Sequence, residues 1–141
     1  MNRRNLIQSL ASAAFLPAAL DATAAAQDLT PTTVYELRIY HLNPGKLPLI
    51  LNRFRTRETK IFTRLGMHCV AFWTPLDGEL PAETLVYLLR HKSREAARAA
   101  WEAFGKDPEW VALKAESEKD GAFVNKHDIT FLKLTDFSPS L

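Results

Sequence analysis

The chain has 141 residues, 47% hydrophobic and 24% charged, which fits one ordinary soluble domain and leaves little room for a second. Lys and Arg number 18 against 16 Asp and Glu, a net charge of +2, so there is no basic excess of the kind nucleic-acid binding needs. One cysteine, Cys69, excludes an intrachain disulfide, and the five glycines draw neither a dinucleotide fingerprint nor a P-loop.

Residues 1–26 read as a removable export signal. Arg3 and Arg4 make a basic start, Leu6 to Leu20 is an apolar, Ala-rich run, and Ala24-Ala25-Ala26 offers small residues for cleavage before Gln27. The run is shorter than the roughly 20 consecutive apolar residues that span a bilayer, so no transmembrane segment is expected. The paired arginines followed by Leu6 and Ile7 are similar to a twin-arginine export motif, although Asn2 and Asn5 are not its favoured flanks. The expected location is the periplasm; an ordinary amphipathic N-terminal helix is the competing reading. Arg3, Arg4 and Asp21 leave with the signal, so the mature chain is nearly neutral. Residues 27–33, with Pro31 between threonines, read as a disordered lead-in to a domain over residues 34–139.

Val34 to Leu42 (VYELRIYHL) alternates over a β-branched and aromatic background and predicts a strand. Tyr35, Leu37 and Ile39 share one side; Glu36, Arg38 and Tyr40 share the other. After Asn43-Pro44-Gly45 the period becomes helical, with Leu47, Ile50, Leu51, Phe54, Ile61, Phe62 and Leu65 on one stripe and Gly66 as the stop. Arg53, Arg55, Arg57 and Lys60 read as the solvated side of that helix. Met67 to Thr74 and Thr84 to His91 predict two further strands around a turn at Asp77-Gly78. Ser93 caps a helix through Phe104 that Gly105 ends, and Asp107-Pro108 starts another carrying Trp110, Val111 and Leu113. Ile129 to Leu134 predicts the last strand.

Strand, helix, two strands, helices, strand is the ferredoxin-like βαββαβ order: α+β, an antiparallel sheet with helices on one face. A bare face containing Val70, Phe72, Val86 and Leu88 is too apolar for water. A homodimer with facing sheets is therefore expected, against a monomer whose lead-in or tail covers that face.

VYELRIYHLNPGKL, GMHCVAFWT, LVYLLRH, WEAFGKDPEW and the closing LTDFSP together resemble the NIPSNAP family, from about Val34 to Pro139. The resemblance implies a dimeric α/β barrel of ferredoxin-like domains and no established reaction. The same architecture also hosts small monooxygenases and haem-binding proteins, so the fold leaves function open.

Glu36, Arg38 and Tyr40 are the most informative candidates for binding a ligand. Their face is expected to look into a cavity between two facing sheets, where Arg38 would hold an anionic or carbonyl group, Tyr40 would donate a hydrogen bond, and Glu36 would orient Arg38 or act as a base. A purely structural Glu36–Arg38 pair explains the same pattern. His68, expected on the same side as Val70 and Phe72, is the best single histidine for haem or base chemistry, and Phe72 would line the cavity beside it. His41, His91 and His127 read as strand-end histidines, and no pair of histidines has metal-ligand spacing. Cys69 reads as a buried, inert thiol, and Trp73, Trp101 and Trp110 as packing anchors. No cofactor is expected in the first reading, a homodimeric module binding a small apolar or amphipathic ligand. The alternative is a cofactor-poor monooxygenase or a haem-handling enzyme using His68, Tyr40 and Arg38.

Overall fold

A computed structural model describes residues 30–141; the export signal expected over residues 1–26 lies outside the described residues. The elements are β1 (Val34–Leu42), α1 (Leu47–Arg53), a π-helical turn (Phe54–Glu58), α2 (Thr59–Arg64), β2 (His68–Trp73), β3 (Thr84–His91), α3 (Arg94–Lys106), α4 (Pro108–Ser117) and β4 (Val124–Leu132). The strands form one antiparallel sheet in the order β2-β3-β1-β4, with β3 and β1 at its centre and β2 and β4 at its edges. This is the ferredoxin-like α+β arrangement.

Local chemistry explains the boundaries. Gly45, at φ 74, turns the chain out of β1. Pro48 sits in the first turn of α1, which has no cap of its own; the Glu83 carboxylate accepts from the Leu47 amide at 3.1 Å instead. Ser93 caps α3 by accepting from the Ala96 amide at 3.0 Å, and Asp107 caps α4 by accepting from the Trp110 amide at 3.1 Å. Gly105 does not end α3, which runs on to Lys106 before the Asp107 cap. The last strand begins at Val124, five residues earlier than the pattern predicts. Asn125, Lys126, His127 and Asp128 look like a loop in sequence, yet β4 is an edge strand paired with β1 along its length, so polar residues are tolerated there.

The helices cover one face of the sheet. Between them lies an aromatic-rich core built on Ile50, Phe54, Ile61, Phe62, Leu85, Tyr87, Leu89 and Phe104. Burial of such side chains stabilises by about 1.5–3 kcal/mol each relative to exposure. Leu37, Ile39, Val86 and Leu88 occupy the helix-free face and are only half-buried, and Trp73 there is 49% exposed, so Trp73 does not anchor helices to sheet as the sequence implies. At the far end of this face a turn at Thr30–Thr33 is pinned by Thr32 donating to the Lys92 carbonyl at 2.8 Å. That turn and Lys133–Leu134 surround Tyr35.

Candidate functional site

The polar trio of β1 lies on the helix-covered face, not on the bare one. Arg38 pairs in register with Tyr87, Glu36 with Leu89 and Tyr40 with Leu85, all of them core residues. Arg38 Nε donates to Glu36 Oε1 at 2.7 Å. Glu36 Oε2 accepts from Trp101 Nε1 of α3 at 2.8 Å and lies 2.7 Å from His91 Nε2. The Arg38 guanidinium stacks 3.5 Å over the Trp101 ring. Burial pushes the Glu36 carboxyl up, but His91, Trp101 and Arg38 outweigh it and hold the group below the usual carboxylate range. Glu36 is thus saturated by donors of its own chain. The cavity between facing sheets expected for this trio is corrected: the long partners Trp101 and His91 come from distant segments and draw the polar side inward.

Tyr40 is the member of the trio that reaches a pocket. A hollow of about 220 Å³ lies between the sheet and the helices, lined by Tyr40 and His127 of the sheet, Arg53 and Glu58 of the first helical stretch, and Phe104 and Trp110 of α3 and α4. Tyr40, Arg53, Glu58 and Phe104 are buried at its floor, while Lys114, Ala122 and His127 are exposed at its rim. Trp110 stacks on Phe104 at 4.3 Å between ring centroids, forming an aromatic wall. A second hollow beside Tyr35 has mainly apolar walls and no acid–base pair.

The π turn builds the charged part of this pocket. Arg53 Nε donates to Glu58 Oε2 at 2.8 Å, and Arg53 also donates to Glu118 at 2.8 Å and Ser117 at 3.0 Å. Arg53 is 5% exposed and Glu58 2%, so Arg53 does not belong to the solvated side where the charge run places it. Burial pushes the Glu58 carboxyl up to about 7, Arg53 and Lys114 oppose that, and the neighbouring Glu118 adds to it. The Glu58 charge in turn reaches Tyr40 of β1, Tyr87 of β3 and Cys69 of β2, whose hydroxyls and thiol are raised mainly by their own burial. A carboxyl poised near neutrality beside a phenol in a pocket can take or give a proton.

His68 and Phe72 are separated by a bulge. β2 pairs Cys69 with Leu89 and then Ala71 with Leu88, so Val70 drops out of register and the alternation resets. Phe72 therefore stacks on Tyr87 in the core, at 5.5 Å, away from the bare face on which strict alternation puts it. His68 is exposed opposite Arg90, on the other side of the sheet from the pocket, and burial together with Arg90 pushes its pKa down. The lining does not fit a haem: His68 cannot reach the pocket, and the buried floor carries the Arg53, Glu58 and Glu118 ion network rather than an apolar seat for a macrocycle. Among the described residues no group of three or more His, Cys, Asp or Glu is placed to hold a metal ion. Glu58, Glu118 and the pocket position of His127 are not legible as site residues in the sequence; only the unbalanced FRTRETK run hints at a helix with a charged inner side.

A ferredoxin-like α+β domain with a buried tyrosine and a buried Arg–Glu pair in a pocket between sheet and helices is the class that this fold and geometry define. The chain belongs to the NIPSNAP family, whose model matches residues 35–139. A NIPSNAP domain protein from Burkholderia xenovorans superposes with a TM-score of 0.64 at 22% identity, over 76% of this chain and 99% of that one. A NIPSNAP family protein from Agrobacterium tumefaciens gives 0.65 at 21% identity, over 76% and 97%. A putative antibiotic biosynthesis monooxygenase from Nitrosomonas europaea shares the fold at 0.54 and 11% identity, over 79% and 98%. None of the curated proteins matches the sequence.

Proposed function

We propose that this chain is an exported, periplasmic member of the NIPSNAP family that acts as a homodimer and binds a small amphipathic ligand in the pocket of each copy. The observation that carries the reading is the pocket floor. Tyr40, Arg53 and Glu58 are buried there, yet they border about 220 Å³ of open space. Pairing within the chain keeps these groups polar in the interior, and the open space beside them leaves room for the polar end of a ligand. The aromatic wall of Phe104 and Trp110 would take the apolar part of the ligand, and the floor its polar part. Dimerisation is supported by the half-buried apolar residues of the helix-free face, and export by the basic, apolar and small-residue order of residues 1–26.

Native mass spectrometry of the protein isolated from the periplasm tests this. The expected result is twice the mature mass with a small adduct that Trp110→Ala reduces. A bare monomer whose thermal stability no small aromatic compound raises would sink the reading.

A second reading, a cofactor-free oxygenase, is favoured by Glu58. Such chemistry needs a base that removes a proton from an electron-rich phenol before dioxygen reacts, and Glu58 stands near neutrality beside Tyr40. Oxygen uptake with hydroquinones, lost in Glu58→Gln, would select it over simple binding.

A further inference from the structure

The Tyr40 hydroxyl has its acceptor capacity filled from behind. Tyr87 donates to the Tyr40 oxygen at 2.6 Å, and Arg38 Nη1 donates to it at 3.4 Å. A phenolic oxygen has two acceptor positions and one proton. With both positions met from the core, the Tyr40 proton can only be given away on the remaining side, and Tyr40 lines the pocket. The donor is strengthened twice, because a hydrogen bond into an oxygen polarises the proton that oxygen donates, and a guanidinium stands behind it. Glu58 borders the same pocket as a proton acceptor.

From this geometry we infer that the pocket takes a single-ring phenol or an enol and holds it as its anion, the ligand oxygen accepting from Tyr40 and the ligand proton passing to the Glu58 carboxylate, with Tyr87 and Arg38 as positioning residues. The inference rests on the ligand-binding reading above and names the ligand class. Charge balances within the site: the O–H bond of the ligand breaks, the proton bonds to Glu58, and the negative charge moves from the carboxylate to the ligand oxygen. Arg53 keeps an ionised partner in Glu118 when Glu58 becomes neutral. Lys114 at the rim and Arg38 behind Tyr40 favour the new anion, while Glu118 opposes it. His127 from β4 faces Tyr40 edge-on with ring centroids 6.0 Å apart and completes the groups around the site. The size agrees, since about 220 Å³ lies below the roughly 300–1,000 Å³ of drug-sized sites and suits one ring against the Trp110 wall.

The test uses para-nitrophenol and its ring-fluorinated congeners, whose phenolates absorb visible light and whose phenols do not. With the full mature protein, the bound probe is expected to ionise at least about one pH unit lower than the free probe, a tenfold shift in the phenolate ratio. Tyr40→Phe should return the bound probe to its free titration, and Tyr87→Phe should recover part of that shift while leaving the fold intact by circular dichroism. Calorimetry in buffers of different ionisation heat follows the proton. For this measurement the probe is unsubstituted phenol, which at about pH 8 is neutral in solution because its pKa lies near that of tyrosine, about 10. The wild type should release no proton when it binds, and Glu58→Gln should release one per phenol. Probes that bind but ionise as they do in water, or equal proton release from wild type and Glu58→Gln, would overturn the inference and leave the binding reading standing. Failure of every aromatic probe to bind would overturn both.

Discussion

Arg53 and Glu58 are five positions apart, yet the Arg53 Nε lies 2.8 Å from the Glu58 Oε2 in the protein interior. On a regular α-helix, at 3.6 residues per turn, such positions diverge by ~140°. The π turn of Phe54–Glu58 takes up one extra residue and returns Glu58 to the side of the helix that bears Arg53. Thr59 seals the wider turn by donating its hydroxyl to the Phe54 carbonyl at 2.9 Å. A local irregularity of one residue is thus what puts a carboxyl into the pocket.

The first prediction concerns the pH dependence of stability. The Glu58 pKa rises from 4.5 to about 7 on folding, so the folded state binds the proton more tightly than the unfolded one. Its contribution is fully present below pH 4.5 and is lost as the pH rises through 7. The wild type should lose on the order of 3 kcal/mol over that window relative to Glu58→Gln, at about 1.36 kcal/mol per pKa unit. Urea unfolding at closely spaced pH values reads the difference. The charged and polar groups that face Glu58 are Arg53, Lys114, Glu118, Tyr40, Tyr87 and Cys69, and only a slope that vanishes in Glu58→Gln belongs to Glu58. A variant curve parallel to the wild type would refute the assignment.

This irregularity also marks how far the sequence can be read. The alternation in VYELRIYHL shows the strand and shows that Glu36, Arg38 and Tyr40 share a side. It does not show that the side is covered, because the residues that satisfy Glu36, His91 and Trp101, lie more than 50 positions away. Polar residues opposite Leu37 and Ile39 follow the pattern of a half-exposed strand until those partners are known. The bulge at Val70 and the π turn each shift the frame by one residue, and a periodicity argument assumes that the frame is kept. The helix caps at Ser93 and Asp107, by contrast, depend on neighbours within three residues and are plain in the sequence.

The second prediction separates the structural half of the polar ladder from the pocket. Glu36→Ala removes the acceptor shared by Arg38, Trp101 and His91 and leaves a buried guanidinium without its counter-ion. Truncation of one partner in a buried pair costs roughly 3–5 kcal/mol. Glu36→Gln keeps an acceptor of the same shape and should cost less, about 1–3 kcal/mol. Because the folded pKa of Glu36 lies below 4.5, its stabilisation persists down to moderate acid and is lost only below that value. Thermal and urea melts of both variants measure this, and equal stability of Glu36→Ala and wild type would show that the ladder does not hold α3 to β1.

The third prediction concerns export. If Arg3 and Arg4 are read as a pair, Arg3→Lys with Arg4→Lys should retain the protein in the cytoplasm with its N-terminus uncleaved, while the folded domain remains intact. Cell fractionation and N-terminal sequencing are the readouts, with Gln27 expected as the first residue of the wild-type mature chain. The charge of the signal is unchanged by these substitutions, so a route that needs only a basic start would be unaffected. Normal export of the double variant would remove the twin-arginine route and leave export itself.

The fourth prediction concerns the helix-free face. Leu88 stands at the middle of β3, opposite Leu37 on one side and Ala71 on the other, and none of these side chains packs against a helix. An aspartate there has no folded-core partner to disrupt, so Leu88→Asp should preserve the monomer fold. In a two-fold dimer the same substitution enters the interface twice, placing two like charges in a region stripped of water. The dimer Kd is expected to rise at least about a hundredfold, ~2.7 kcal/mol at 1.36 kcal/mol per factor of ten, as read by sedimentation or light scattering over a dilution series. The pocket lies on the opposite side of the sheet from Leu88, so probe binding should survive the loss of the dimer. If Leu88→Asp leaves the wild-type mass unchanged, some other surface joins the copies; if it abolishes binding along with the dimer, the pocket depends on the second copy for its shape.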